Sequence, residues 1–418
     1  MAYGIDELGR MNTLEPQPQT RPWWVVNDAH DLLAVLLLGF AFFLPISLSV
    51  AQPFAYLAVP VWVVLVAKGA EKPLRNPLFW PMLIFVVLLL LGSLFGPRPM
   101  FSIMRSRRIL LMSLVFMMGA VFQLQSSDAR RSLWTPLLLF MFGSTLLGLS
   151  EWVRIPLQLR AGQALYDLGN MRDPQLYLVS TFVLLALWFY RPVRVPAVWL
   201  AVLTLINVAG MVLHFKRGVW ISFALTAVLA AAMTRRYHML LVLLLGMLAL
   251  CFVPQAQDRL QLLRQELEEG TGGRRVLWTR VAPNLIKDNP MGAGFRGLDH
   301  ADFVESSPIY LQPGLNHLHN NLLQVAVDAG WLGAAVWTYW MGLTLFIMIR
   351  LVRSRHAADP RHKALALACT ASFVALMLNG MVEYNFGNSV VFMVMMLLMG
   401  TAVALQRADR AMPEEPPS

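Results

Sequence analysis

Charge is what this sequence lacks most. Only 14% of its 418 residues are charged while 57% are hydrophobic, against roughly 25% charged in soluble domains. An ordinary soluble domain is excluded. Cysteine is nearly absent. Cys251 and Cys369 both fall inside apolar runs, which leaves no disulfide framework and no Cys-based zinc site to expect. Strict apolar–polar alternation is missing too: the apolar runs are continuous, so a membrane β-barrel is excluded. The first 30 residues have no apolar core of the signal-peptide type. They contain EPQPQTRPWW, a Pro/Gln linker ending in an interfacial Trp pair, and no cleaved signal is expected. No internal repeat is visible.

What is there is a series of apolar runs. A helix needs about 20 apolar residues to cross a bilayer. Twelve candidate spans are read near 32–50, 54–67, 78–95, 109–124, 133–150, 175–190, 195–213, 218–233, 238–254, 331–350, 364–382 and 388–406, the second of them short. The expected fold is an all-α polytopic membrane protein of about 12 transmembrane helices. Residues 1–30 form an N-terminal segment, 31–254 spans one to nine, 255–330 a long polar loop, 331–406 the last three spans, and 407–418 a tail.

The basic residues orient these spans. With the N-terminus inside, the clusters KGAEKPLR, TRRYH and RLVRSRHAADPRHK all land inside, as the positive-inside rule requires. Both the N-terminal segment and the tail are then cytoplasmic. Arg98, Arg105, Arg107, Arg108, Arg154, Arg160, Arg172, Lys216 and Arg217 remain outside, with further basic residues in the 255–317 loop. Cations kept on the unfavoured side point to an anionic partner there, and phosphates are the obvious candidates. The competing explanation is a misplaced span near 98–108.

The outer loop reads as two helices, DRLQLLRQELEE with leucines on one face and RRVLWTRVAPNLIKDNP closed by Pro290. GAGFRG at 292–297 matches G-x-G-x-x-G. It lacks a preceding strand and βαβ context, so it reads as a glycine-rich turn rather than a dinucleotide site. GLNHLHNNLLQVAVDAGWLG follows. On a helical wheel Leu323, Ala326, Gly330 and Gly333 lie within about 40° of His319, and Asn321, Gln324 and Asp328 lie opposite. Gln324 and Asp328 would be costly facing lipid at mid-bilayer. Residues 318–330 therefore lie at the outer interface or are covered by the loop, and the span starts near Trp331.

Three roles for His319 stand open. His317-x-His319 could be part of a metal site, but no third ligand is recognisable nearby. His319 beside Asn320 could cap the helix. It could also be a catalytic base at the membrane surface, given an anion clamp from the outer arginines. Lys216 and Arg217 form a basic pair at an outer turn, which read alone is a pair of snorkelling cations. NGMVEYNFGNS at 379–389 places Glu383, Tyr384 and Asn385 at another outer turn, which reads first as an ordinary polar turn.

These residues together resemble a known family. His319-Asn320, nine residues, then Gly330-x-x-Gly333 resembles the O-antigen ligase and O-antigen polymerase superfamily of bacterial inner-membrane glycosyltransferases. The basic pair before Gly218 and the Arg274–Trp278 spacing ahead of NPMGAG are similar to it as well. The resemblance implies a GT-C-like membrane fold with its site on the periplasmic face, no cofactor, no required metal and no nucleotide-sugar donor. It implies transfer of a glycan from undecaprenyl pyrophosphate to lipid A–core. The implied partners are those two lipids and the bilayer; no nucleic acid is expected. It assigns His319 as general base with Asn320 and Arg217 beside it, and Lys216, Arg217, Arg274, Arg275, Arg105 and Arg108 to the pyrophosphate. Glu383 and Tyr384 would stand on the acceptor side. Phe215 departs from the Ser or Thr that often precedes the family's basic pair, so the key cation is Lys216 or Arg217, with Arg217 favoured.

A polymerase would share this chemistry with another glycan as acceptor. The single long outer loop favours ligase, since polymerases tend to carry two. Protein-glycosylating members usually carry an extra C-terminal domain, and this chain reaches EEPPS soon after its last span. A transporter, from a different class, would show midplane charges and inverted repeats. The spans here are nearly free of ionisable residues. Reporter fusions within 255–317 are expected to report an extracytoplasmic location; cytoplasmic reporter activity there would overturn this topology.

Overall fold

A computed structural model of the chain describes residues 26–124, 126, 128–162, 172–193, 195–235, 237, 257, 261, 273–306, 316–354 and 359–411. These residues are helical, without a strand among them. The long elements are α1 (Ala29–Ile46), α2 (Leu48–Ala67), α3 (Phe79–Phe95), α4 (Pro99–Ser106), α5 (Leu114–Val121), α6 (Trp134–Arg160), α7 (Asp173–Tyr190), α8 (Ala197–Leu213) and α9 (Arg217–Thr234). After the polar loop come α10 (Gly273–Val276), α11 (Ala282–Asp288), α12 (His300–Glu305), α13 (Asn321–Val352), α14 (Pro360–Asn379) and α15 (Ser389–Ala411). A π turn, Leu277–Val281, joins α10 to α11.

Seven of these helices, α1, α2, α6, α9, α13, α14 and α15, are long and apolar enough to cross a membrane, and α3 and α8 are shorter apolar helices. The chain is thus multi-pass. The expected short second span is a full 20-residue helix. The expected span at 109–124 is not one helix: a 3-10 segment, Arg107–Ser113, leads into the eight-residue α5. The span at 238–254, Cys251 and, apart from Gln261, the helix DRLQLLRQELEE lie outside the described residues.

Burial grades the helices. The apolar window of α15 is 94% buried and that of α14 83%, against 22% for α2. α15 is the axis of the bundle, apolar all round because it meets protein all round. Its methionines, unbranched and adaptable, fill the gaps between unlike neighbours. Ion pairs close one end of the bundle, where Arg131 meets Asp31 at 2.6 Å and Arg407 meets Glu71 at 2.9 Å.

The other end is organised by a break. α13 has non-helical geometry at Gly330, with φ of +73°, where the sequence places the start of the span. Breaking a helix orphans backbone carbonyls, which must find donors away from water. Val327 and Asp328 find theirs in the backbone N–H groups of Ala293 and Gly294, at 2.8 and 2.9 Å. The glycine-rich turn is thus wedged against the break. Gly292 and Gly294 have φ of +96° and +87°, and a Cβ on Gly292 would meet the Asp328 carbonyl oxygen at 2.6 Å. Only glycine fits this contact without strain.

A Cβ at Gly330 would meet the Pro290 carbonyl oxygen at 2.5 Å, whereas Gly342 of the same helix has open space. Gly330→Ala is expected to cost about 1–3 kcal/mol through backbone strain alone, and Gly342→Ala to be neutral or slightly stabilising. Thermal melts of the purified variants check this; equal melting temperatures for Gly330→Ala and wild type would contradict it.

Candidate active site

Four segments meet at the broken end: the turn before α13, the turn between α14 and α15, the start of α10, and α4. His319 is not on the helix. It precedes the N-cap Asn320 with φ of +49°, the left-handed region that a non-glycine residue enters at a cost. The wheel that placed His319 on a helical face is corrected accordingly.

The strained residue is held on both sides. The indole N–H of Trp278 donates to the Leu318 carbonyl at 2.7 Å, and the Leu318 N–H donates to Gln324 Oε1 at 2.8 Å. The Asn320 side chain caps α13 by accepting the Leu323 N–H at 3.1 Å and donates to the Met381 carbonyl at 2.9 Å. Asn321 N–H donates to the Gly380 carbonyl at 2.7 Å, and its side-chain oxygen accepts the Phe386 N–H at 3.0 Å. Beneath lies a closed polar set, in which Gln324 donates to Asp328 Oδ1 and the Tyr384 hydroxyl to Asp328 Oδ2, both at 2.8 Å. Asn321, Gln324 and Asp328 are buried, and much of their cover comes from the 380–386 turn, where cover by the outer loop was expected.

His319 Nδ1 lies 3.2 Å from Glu383 Oε2, and the other Glu383 oxygen accepts from Arg274 Nη2 at 2.6 Å. A carboxylate paired with a guanidinium accepts hydrogen bonds, so His319 donates from Nδ1. That tautomer leaves Nε2 with a lone pair. The imidazole is partly open, with 24% of its side chain exposed. The arrangement can take a proton from a hydroxyl at Nε2 and steady the resulting imidazolium through Glu383. His317 stands beside it, ring centroids 4.2 Å apart, its Nδ1 against Asn316 Oδ1 at 2.9 Å. Burial, chiefly, pushes His317 down to about 4. Burial and the Asp328 carboxylate push the Tyr384 phenol up.

The expected absence of a third metal ligand near His317-x-His319 is corrected. Glu383 supplies one from the far turn, and the three ligand atoms lie within 4.8 Å of one another. Their hydrogen bonds to Glu383 and Asn316 engage one nitrogen of each ring.

The other expected residues fall into groups. Arg274 reaches His319 through Glu383; its neighbour Arg275 is exposed. Lys216 and Arg217 begin α9, and a Cβ on the next residue, Gly218, would meet Val382 at 2.9 Å and Asn379 at 3.0 Å. The basic pair thus sits beside the turn that carries Glu383. Arg105 donates to the Arg296 carbonyl at 3.0 Å and covers the Phe101 ring, and Arg108 donates to the Gly387 carbonyl at 3.0 Å. Both serve backbone oxygens rather than carboxylates. Tyr384, expected on the acceptor side, is buried with its hydroxyl on Asp328. Arg296 was not foreseen. It belongs to the glycine-rich turn, and its charge acts on Arg105, Arg108, His317 and Asp328. Its place within GAGFRG, among glycines that bring backbone close to α13, is the only sequence sign of it.

Residues 202–338, about a third of the chain, match the family described as O-antigen ligase. The match takes in Lys216, Arg217, Arg274, Arg275, Arg296, His319 and Asn320; Glu383 lies beyond it. No curated protein matches the chain.

The His317 shift has a pH consequence. Between 6.5 and about 4 the unfolded chain holds a proton on this residue that the folded chain does not. Stability therefore rises with pH across that window and is lost as pH falls through it. His317→Gln is expected to flatten this part of the melting-temperature profile. An unchanged acid slope in that variant would contradict the assignment.

Proposed function

Starting from a superfamily segment that contains both the basic pair and the histidine, we propose that the chain is an O-antigen ligase. It moves O-antigen polysaccharide from undecaprenyl pyrophosphate to lipid A–core in lipopolysaccharide biosynthesis. In this reading the helices make about twelve crossings of a Gram-negative inner membrane in a GT-C-like fold, with both the N-terminal segment and the tail cytoplasmic. The loop 255–330 and the His319 site then face the periplasm. The observation that carries the reading is the Arg274–Glu383–His319 relay at the mouth of α13.

The chemistry follows from the relay. The acceptor hydroxyl gives its proton to His319 Nε2 as its oxygen bonds to the anomeric carbon of the donor glycan. The bond from that carbon to the pyrophosphate oxygen breaks, and its electron pair leaves with undecaprenyl pyrophosphate. General-base help of this kind contributes about 10²–10⁴-fold. Cations offset the charge that grows on the leaving group. That part is assigned to Arg217 and Lys216, beside the turn that carries Glu383, and to Arg105 and Arg108 with Arg296, while Arg274 also steadies Glu383. Arg275 is exposed next to Arg274 and is a further candidate for the same anion. Asn320 caps the helix and fixes the histidine's backbone. One carboxylate, Glu383, touches the histidine and is occupied by it. A single displacement with inversion therefore fits better than a covalent sugar intermediate, and the base needs no metal.

A polymerase of the same superfamily would use the same relay. Lipopolysaccharide gels of a strain lacking this protein separate the two. Lost O-antigen ladders with the lipid-linked polymer retained are expected; core carrying one repeat unit would make the protein a polymerase, and an unchanged ladder would sink both. Glu383→Gln keeps the shape of the side chain and removes its charge. It is expected to lower transfer roughly 10²-fold or more, by analogy with neutralising the carboxylate of a catalytic triad. Wild-type transfer by a folded Glu383→Gln protein would remove Glu383 from the mechanism.

A further inference from the structure

A second cluster lies apart from the relay, where α6, α7 and the α8–α9 turn converge. Glu151 of α6, Asp173 at the start of α7 and His214 between α8 and α9 are each almost fully buried. One ligand atom from each lies within 4.8 Å of the others, and His214 Nε2 stands 4.0 Å from Glu151 Oε1. Neither ring nitrogen of His214 has a hydrogen-bond partner. The ring rests against Tyr177, with centroids 5.9 Å apart. A buried polar group left without a partner costs about 1–3 kcal/mol, and an imidazole facing two carboxylates in such a place calls for an explanation.

We propose that Glu151, Asp173 and His214 form a structural site for a divalent transition-metal ion of the zinc class. The donor set is one imidazole nitrogen and two carboxylate oxygens, which suits zinc rather than calcium or magnesium, whose sites are built from oxygen. Bonds of about 2.0–2.2 Å to a shared ion require the donor atoms to close by about 1 Å, within reach of side-chain rotation. Charge balance also fits. Arg154 holds Glu151 at 2.6 Å and Arg172 holds Asp173 at 2.5 Å. Both arginines are rim residues, with 41% and 27% of their side chains exposed. An ion that replaces them leaves two carboxylates and one dication, neutral inside, while the guanidiniums return to water. The His317–His319–Glu383 group differs in that hydrogen bonds already account for a nitrogen of each of its rings, whereas both nitrogens of His214 lack a partner. The ion would tie three helices together two residues before Lys216, and so fix the turn that presents the basic pair.

The test is metal binding by the purified full-length protein. After stripping with chelator, it is dialysed against Zn²⁺ or Co²⁺ and assayed for bound ion. Wild type is expected to take up about one equivalent, with raised melting temperature and an X-ray absorption spectrum showing nitrogen and oxygen ligands with one imidazole. His214→Ala and the near-isosteric Glu151→Gln are each expected to lose it, and His319→Ala to keep it. Glu151→Gln carries the test if His214→Ala does not fold. No ion on the wild-type protein above the detergent blank would overturn the proposal. So would an ion retained by Glu151→Gln, or one lost with His319→Ala.

Discussion

An open carbonyl inside a membrane protein has to be met by a donor, and the functional end of this bundle depends on how two of them are met. α13 breaks at Gly330, and the freed Val327 and Asp328 carbonyls are taken by Ala293 and Gly294. That exchange docks the glycine-rich turn against α13 and α3, and the turn brings Arg296 up to Arg105 and Arg108. The helix above the break starts at Asn321, so its cap and the left-handed His319 sit over a buried polar floor of Gln324, Asp328 and Tyr384. Strain of about 1–3 kcal/mol at such a residue persists only where its surroundings over-determine it. Here Trp278, Gln324, Asn320 and the 380–386 turn do so from four directions.

Much of this was legible in the chain. Apolar runs marked most of the helices, because bilayer thickness leaves little freedom in helix length. The break at Gly330 falls next to Trp331, where the polarity of Gln324 and Asp328 sets the expected start of the span. The 109–124 segment misled, since composition alone does not tell a crossing helix from a 3-10 turn followed by two helical turns. The wheel failed at His319 for a local reason: Asn320 is an N-cap, and the residue before a cap does not follow helical geometry. The partnership of His319 with Glu383 spans 64 residues, and no spacing rule within one helix reaches that far. Tyr384, beside it in sequence, turned inward to Asp328 instead, because successive residues of a tight turn point apart.

The motif His-Asn followed by Gly-x-x-Gly acquires a physical meaning from these contacts. The first glycine is the break, the asparagine is the cap, and the histidine is the residue that both hold in place. RRVLW likewise contributes its two ends: Arg274 grips Glu383 and Trp278 grips the Leu318 carbonyl. Both motifs therefore meet at the turn that holds His319, while Lys216 and Arg217 begin α9 beside the turn that carries Glu383 and Arg105 and Arg108 bond backbone oxygens of Arg296 and Gly387.

The claim at the centre of this account is that His319 takes the acceptor proton. The most direct measurement is single-turnover glycan transfer by purified His319→Ala protein, with donor binding measured on the same sample. Retained donor binding with transfer slowed about 10²–10⁴-fold is the expected result. Transfer at the wild-type rate by a folded His319→Ala protein would contradict it.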